Sequence, residues 1–298
     1  MTVPELLELY GMTLRLRGFH PRTIRCNSFE CRSFFQFAGE LSAADVREEH
    51  LLAYLEHLKG RYQERTARDK LRKVIAVLRW AARQGHILLD PARELRLPLL
   101  ATALVPVLTR AEVEAMLLQP DATTAVGLRD LTLLETLYGT GMRVGEVAPL
   151  NVPDLSLSSC RFQVARSKGG SFRVVAFGDH LADVLQRYLE ESRPQMVRKH
   201  VTTALFLSHR KGKRLGAHGI CDVVREAARQ AGIQKRVTTH SLRHSFATHL
   251  LVSGATLHEV RLLLGHQWTQ SSDHYTHLLP LDVAQAVRKC HPRGRKKS

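Results

Sequence analysis

Thr239-His-Ser-Leu-Arg243-His-Ser-Phe-Ala-Thr-His-Leu-Leu251 is the stretch on which the reading of this chain turns. Leu242, Phe246 and Leu250 recur every four positions, the period of a helix with one buried face. His240 and Arg243 are three residues apart, so on that helix they share a second face and project together. His244 lies close to that second face. His249 falls in line with the leucines and reads as structural.

Working outward, three other short stretches carry polar residues in unusual settings. In Gly139-Thr-Gly-Met-Arg143-Val-Gly-Glu146 a glycine-rich turn delivers Arg143 at the start of a short helix, with Glu146 one turn on. Taken alone, this is a surface ion pair. Taken as chemistry, arginine offers a planar fork that matches two phosphate oxygens, which lysine cannot. Phe162-Gln-Val-Ala-Arg166 and Phe172-Arg-Val-Val-Ala-Phe177 flank Ser167-Lys-Gly-Gly-Ser171, a hairpin with Lys168 at its tip. Such a lysine is either a solubilising loop residue or a mobile ammonium that enters a site as a proton donor. Leu262-Leu-Leu-Gly265-His266 is followed nine residues later by Tyr275-Thr-His-Leu278. A histidine after a helix-ending glycine and a tyrosine at a core rim are each ordinary.

The combination is not ordinary. Two arginines, two histidines, a lysine and a tyrosine are what metal-free phosphodiester cleavage requires. Attack on phosphorus builds a five-coordinate species with extra negative charge, and fixed cations stabilise that charge as it develops. The tyrosine becomes covalently joined to the DNA end. Its free pKa of about 10 means that it needs help in losing its proton, and the leaving 5′ oxygen needs an acid. No Asp/Glu cluster suited to Mg²⁺ accompanies these residues, so neither a metal nor another cofactor is expected.

The N-terminal third reads as helices. Leu6, Leu7, Tyr10, Leu14 and Leu16 supply the first apolar face. Ile24, Phe29, Phe34, Phe35 and Phe37 lie on a second helix opening after Pro21. A third covers about Glu48 to Lys59, and a fourth about Glu64 to Gln84. Asp90-Pro91 and the proline-bearing run to Pro106 break the helical period, which predicts an extended linker. Thr109-Arg-Ala-Glu112 then reads as a capping box. The expected organisation is a helical DNA-binding domain over 1–95, a linker over 96–106 and a catalytic domain over 107–298. The fold class is mainly α with a small β-hairpin in the catalytic domain.

Charge names the kind of partner. Lys and Arg number 44 against 28 Asp and Glu, a formal net charge of +16 in 298 residues. Such an excess, spread along the whole chain, favours a protein that surrounds nucleic acid. No stretch of about 18 apolar residues appears, so no membrane association is expected. The five cysteines form no Cys-x-x-Cys pair, which excludes a zinc finger and a disulfide framework. Together with the absence of a secretory pattern after Met1, this predicts a cytoplasmic protein.

On the four quoted stretches the chain resembles the tyrosine recombinase (phage integrase) family, and within it the bacterial Xer-type recombinases. The resemblance extends over the whole length, to the closing His291-Pro-Arg293. It implies that Arg143 and Arg243 hold the scissile phosphate, Glu146 orients the site and Lys168 protonates the leaving oxygen. It further implies that His240 assists proton transfer at the tyrosine, His266 hydrogen-bonds the phosphate and Tyr275 attacks. The implied architecture is a two-domain, C-shaped clamp on double-stranded DNA. Four identical or mixed protomers would assemble on two DNA sites, alone or with a second recombinase or accessory protein. Each would lend a C-terminal helix, about Leu281 to Cys290, to a neighbour. Between His266 and Tyr275 the sequence departs from the family, with Ser271 and Ser272 where paired threonines are common and Asp273 beside the nucleophile. Chromosome or plasmid resolution and mobile-element integration or excision both fit. The rival readings are a type IB topoisomerase-like relaxing enzyme and a catalytically silent DNA-binding regulator.

Overall fold

The computed structural model describes residues 1–98, 106–165, 172–197, 202–210, 212–264 and 289–292. Lys168, His266 and Tyr275 therefore lie outside the described residues, as do Asp273 and residues 281–288 of the expected exchange helix. The chain divides into two compact units, Met1–Ala103 and Leu104–Ser298.

The first unit is built from α1 (Val3–Leu16), α2 (Pro21–Ala38), α3 (Glu48–Lys59) and α4 (Glu64–Arg83). Thr2 caps α1 reciprocally with Glu5, and Pro21 opens α2 where a missing N–H costs nothing. Leu6, Phe34, Leu51, Leu71, Val74, Val77 and Leu78 are fully buried between the helices. A buried pair ties α2 to α4, with the Lys70 ammonium 2.9 Å from a Glu30 carboxylate oxygen. Four residues assigned to the apolar faces point outward instead: Leu16 is 90% exposed, Phe29 63%, Phe37 41% and Leu52, placed on the third helix's apolar face, 42%. The cause is angular. Leu16 follows the buried Leu14 by two positions, and Phe29 precedes the buried Cys31 by two, a rotation of about 200° on a 3.6-residue helix. The outer side of α4 presents Arg65, Arg72, Arg79 and Arg83, spaced so that they form one exposed stripe.

The second unit opens with α5 (Arg110–Leu117), capped as expected by reciprocal bonds between Thr109 and Glu112. Next comes α6 (Ala125–Thr140), which is buried along most of its length and forms the unit's central post. Two of its charged residues find partners inside. Arg129 donates to the Leu207 carbonyl at 2.6 Å, and the Glu135 carboxylate lies 3.1 Å from the His180 ring. A short α7 (Val144–Val147) precedes three antiparallel strands in sequential order, β1 (Leu155–Ser156), β2 (Arg161–Ala165) and β3 (Phe172–Ala176). The β2–β3 hairpin follows the predicted pattern, with Val164 opposite Arg173 and Phe162 opposite Val175. The edge strand β1 was not anticipated, since two residues are too few to show an alternation. α8 (Asp179–Arg187) runs through a wide turn at Tyr188–Ser192 into α9 (Arg193–Met196). The unit continues with α10 (Ala217–Gln230), α11 (Thr239–Val252) and α12 (Leu257–Leu264). One core joins them, around Leu133, Phe162, Phe177, Leu185, Tyr188, Ile220, Val224, Phe246 and Leu250. Cys290 is buried in the same core, and the His291 ring lies 4.8 Å from Tyr138 and 5.3 Å from Phe246.

Among the described residues no helix is long and apolar enough to cross a membrane.

Candidate active site

The centre of the site is Arg243, one turn inside α11. Thr238 caps that helix by accepting from the Ser241 N–H at 3.1 Å. Leu242, Phe246 and Leu250 are buried as the periodicity required. His249 is also inside, 2.8 Å from the Tyr138 hydroxyl. His240 and His244 are exposed, whereas Arg243 is only 7% exposed. Residues that share a helical face thus differ in depth: His240 stands in the open first turn, while Arg243 is covered by two other elements.

Those elements grip its guanidinium. One N–H donates to the Gly141 carbonyl and another to the Leu264 carbonyl at 2.8 Å, the last residue of α12. Gly141 ends α6 with φ +61°, the left-handed conformation that glycine adopts without strain. A Cβ there would stand 2.4 Å from the Phe246 ring and 3.0 Å from Leu264. Gly141 therefore permits both the turn and the close approach that places its carbonyl against Arg243. Gly141→Ala should destabilise the chain by about 2–4 kcal/mol, combining left-handed strain with overpacking. A denaturant melt checks this, and an unchanged midpoint would contradict the packing account.

Two residues beyond that turn, Arg143 stands at the head of α7. Its backbone N–H donates to Glu146 Oε2 at 2.7 Å, and its guanidinium is 3.8 Å from Glu146 Oε1. The Arg143 side chain is 44% exposed and so can meet a ligand. Glu146 has a second cationic neighbour that the sequence reading did not single out. Arg173, on β3, donates to Glu146 Oε1 from Nε at 3.3 Å and from Nη2 at 3.1 Å. Its Nη1 donates to the Leu263 carbonyl at 3.1 Å, and its side chain is only 9% exposed. A signal for it existed. Arg173 is two residues from the buried Val175 and so falls on the inward face of β3.

The electrostatics match the geometry. Burial above all, and then the Arg143 guanidinium, push the Arg243 pKa down to about 10, with Arg173 adding to the effect and Glu146 opposing it. With its pKa near 10, the group remains charged at neutral pH. A buried cation beside two others, with one carboxylate among them, gains when an anion arrives. Arg143, Glu146, Arg173 and Arg243 are thus brought together, with His240 on the same helix as Arg243.

Beside the N-terminus of α11 a hollow is lined by Ile233, Val237, Thr238 and Thr239 together with Arg225, Arg229, Lys235 and Arg236, and Arg225, Arg229 and Lys235 are paired with Asp222, Glu226 and Glu112.

Known proteins resemble the chain over most of its length. The phage integrase family model matches residues 106–281. Tyrosine recombinase XerD of Listeria monocytogenes is 33% identical over 287 residues, covering 93% of this chain and 95% of that protein. Tyrosine recombinase XerD of Staphylococcus epidermidis is 39% identical over 215 residues, 72% of each. In fold, the chain is similar to the Tn1549 transposon integrase solved with a circular intermediate DNA, with a TM-score of 0.72 and 18% identity over 90% of this chain and 92% of that one. It is also similar to lambda integrase solved as a tetramer bound to a Holliday junction, with a TM-score of 0.67 and 18% identity over 92% of this chain and 80% of that one. With more than half of its length matched by the family model and a relative one-third identical along nearly all of it, the chain belongs to the phage integrase family of tyrosine recombinases and is a site-specific DNA recombinase most like the Xer type.

Proposed function

We propose that the chain cleaves and rejoins double-stranded DNA through a 3′-phosphotyrosine formed by Tyr275. The observation that carries this reading is the buried Arg243, held by two backbone carbonyls beside the exposed Arg143 and its carboxylate Glu146. Two guanidiniums of fixed orientation bind the non-bridging oxygens of the scissile phosphate and stabilise the extra charge of the five-coordinate species. The Tyr275 oxygen forms its bond to phosphorus as the 5′ oxygen leaves. Lys168 gives that oxygen a proton, His240 assists the tyrosine's own proton transfer, and His266 hydrogen-bonds the phosphate. Attack by the free 5′ hydroxyl of a second strand reverses these steps and releases the tyrosine. No net bond energy is lost, so no high-energy cofactor is required.

In this reading the second unit does the chemistry, and the first supplies phosphate contacts through basic faces such as the Arg65, Arg72, Arg79 and Arg83 stripe of α4. Strand exchange needs two cleaved sites at once, which a tetramer of identical or mixed protomers provides. Cys290 and His291 lie against the core of their own chain, so lending the C-terminal segment to a neighbour would extract them from it.

The test is a trapping and exchange assay on duplexes carrying the site, first isolated by selection from a random pool. Covalent adduct together with joined strands from paired sites is the expected outcome, in EDTA as well as in Mg²⁺. Adduct with relaxation but no exchange would indicate a topoisomerase. Tight binding without adduct would indicate a regulator. Either would contradict the proposal.

A further inference from the structure

We infer that Arg173 is a positioning residue for phosphate cleavage, the strut that holds Glu146 and the end of α12 in register so that the guanidiniums of Arg143 and Arg243 face one phosphate. The inference rests on the proposed cleavage reaction.

Three features of Arg173 set it apart from a surface cation on a strand. It is almost fully buried and sits on the inward face of β3. Its two donors on one side converge on a single carboxylate oxygen, Glu146 Oε1, whose partner oxygen holds the Arg143 backbone N–H. Its remaining side reaches the Leu263 carbonyl, directly before the Leu264 carbonyl that Arg243 occupies. Two arginines from different elements, β3 and α11, therefore grip adjacent carbonyls in the last turn of α12. Each of the two carbonyls is thereby given a charged donor of its own.

The consequence is mechanical coupling between the two phosphate-binding arginines. Arg143 is fixed through Glu146, and Arg243 through Leu264 and Gly141. Arg173 joins the two sets through Glu146 on one side and Leu263 on the other. Without it, Glu146 keeps its bond to the Arg143 backbone but loses its lateral support, and α12 keeps only the Arg243 contact among these. The Arg143 and Arg243 forks then no longer hold a fixed separation. Lysine in its place keeps the charge but cannot span three donors in a planar fork.

The test exploits the chemistry of charge. A scissile methylphosphonate replaces one non-bridging oxygen with a methyl group, so its five-coordinate species carries one negative charge fewer and depends less on aligned cations. Full-length Arg173→Gln and Arg173→Lys would be compared with wild type on nicked duplexes carrying either the ordinary diester or the methylphosphonate. Covalent adduct rate, DNA affinity and thermal midpoint would be measured for each. The expected result for Arg173→Gln is a loss of about 10²-fold in adduct rate on the diester, the scale of a small misplacement of reacting groups. Its loss on the methylphosphonate should be several-fold at most, with affinity within about threefold of wild type. Arg173→Lys should fold normally, carrying the test if the glutamine variant does not, and show the same selectivity with a smaller loss. Equal losses on both esters, or no loss on the diester, would overturn the inference while leaving the cleavage reaction intact. A wild-type chain that forms no adduct on either ester would overturn the cleavage reaction, and this inference with it.

Discussion

Tyr275→Phe is expected to bind site DNA within about twofold of wild type and to form no covalent adduct at all, because only the attacking oxygen is removed. The affinity of such a complex comes from many phosphate contacts made by lysine and arginine, and the phenol contributes one hydroxyl among them. Loss of the nucleophile is not graded, since the bond to phosphorus needs the oxygen that the substitution removes. A denaturing gel of the nicked-substrate reaction reads the adduct, and a gel shift reads binding. Adduct that persists in Tyr275→Phe would move the nucleophile elsewhere. Loss of binding in parallel would mean that the tyrosine also organises the fold.

The second large effect belongs to Arg243. Arg243→Lys should lose at least about 10²-fold in cleavage although the formal charge is kept, the scale of losing one preorganised oxyanion donor. The structure adds a reason beyond bidentate phosphate contact. Two N–H groups of this guanidinium are already used on the Gly141 and Leu264 carbonyls, and those bonds aim the remainder of the fork. An ammonium that satisfied both carbonyls would have a single proton left for the phosphate. The variant should also be less stable, because one nitrogen must replace two separated ones and both carbonyl bonds lose their geometry. Single-turnover cleavage and a thermal melt separate the two consequences. Cleavage near the wild-type rate would remove the requirement for a planar fork.

Much of the fold could be read from the chain because its elements announce themselves locally. α3 and α4 begin where charged residues precede a 3.6-residue apolar period, and α5 opens on a Thr109–Glu112 box. The hairpin follows from two β-branched and aromatic runs around glycines. What could not be read was depth. His240 and Arg243 look equivalent on a helical wheel, yet one is exposed and the other covered by Gly141 and Leu264, which are distant in sequence. Leu16, Phe29 and Phe37 look like core by residue type, and only their angle against the buried positions puts them outside. Arg173 shows the same limitation from the other side. Its inward phase on β3 was visible, but an arginine within an apolar strand gains meaning only once Glu146 and Leu263 are seen beside it.

Glu146 illustrates how the site is built from weak parts. An Arg–Glu pair three apart on an exposed helix contributes little. Here the same carboxylate is shared between Arg143 and the buried Arg173, and its two oxygens are divided between a backbone N–H and a guanidinium. The pair becomes a fixed support because a third group, on another element, immobilises it.

Peptide mapping of the covalent complex identifies the nucleophile without recourse to substitution. Full-length protein would be trapped on a nicked site duplex and digested with protease and nuclease, and the modified peptide identified by mass spectrometry. One modified peptide is expected, with the 3′ nucleotide joined through phosphate to Tyr275. A modification on any other residue, a 5′-linked nucleotide, or no covalent complex at all would contradict it.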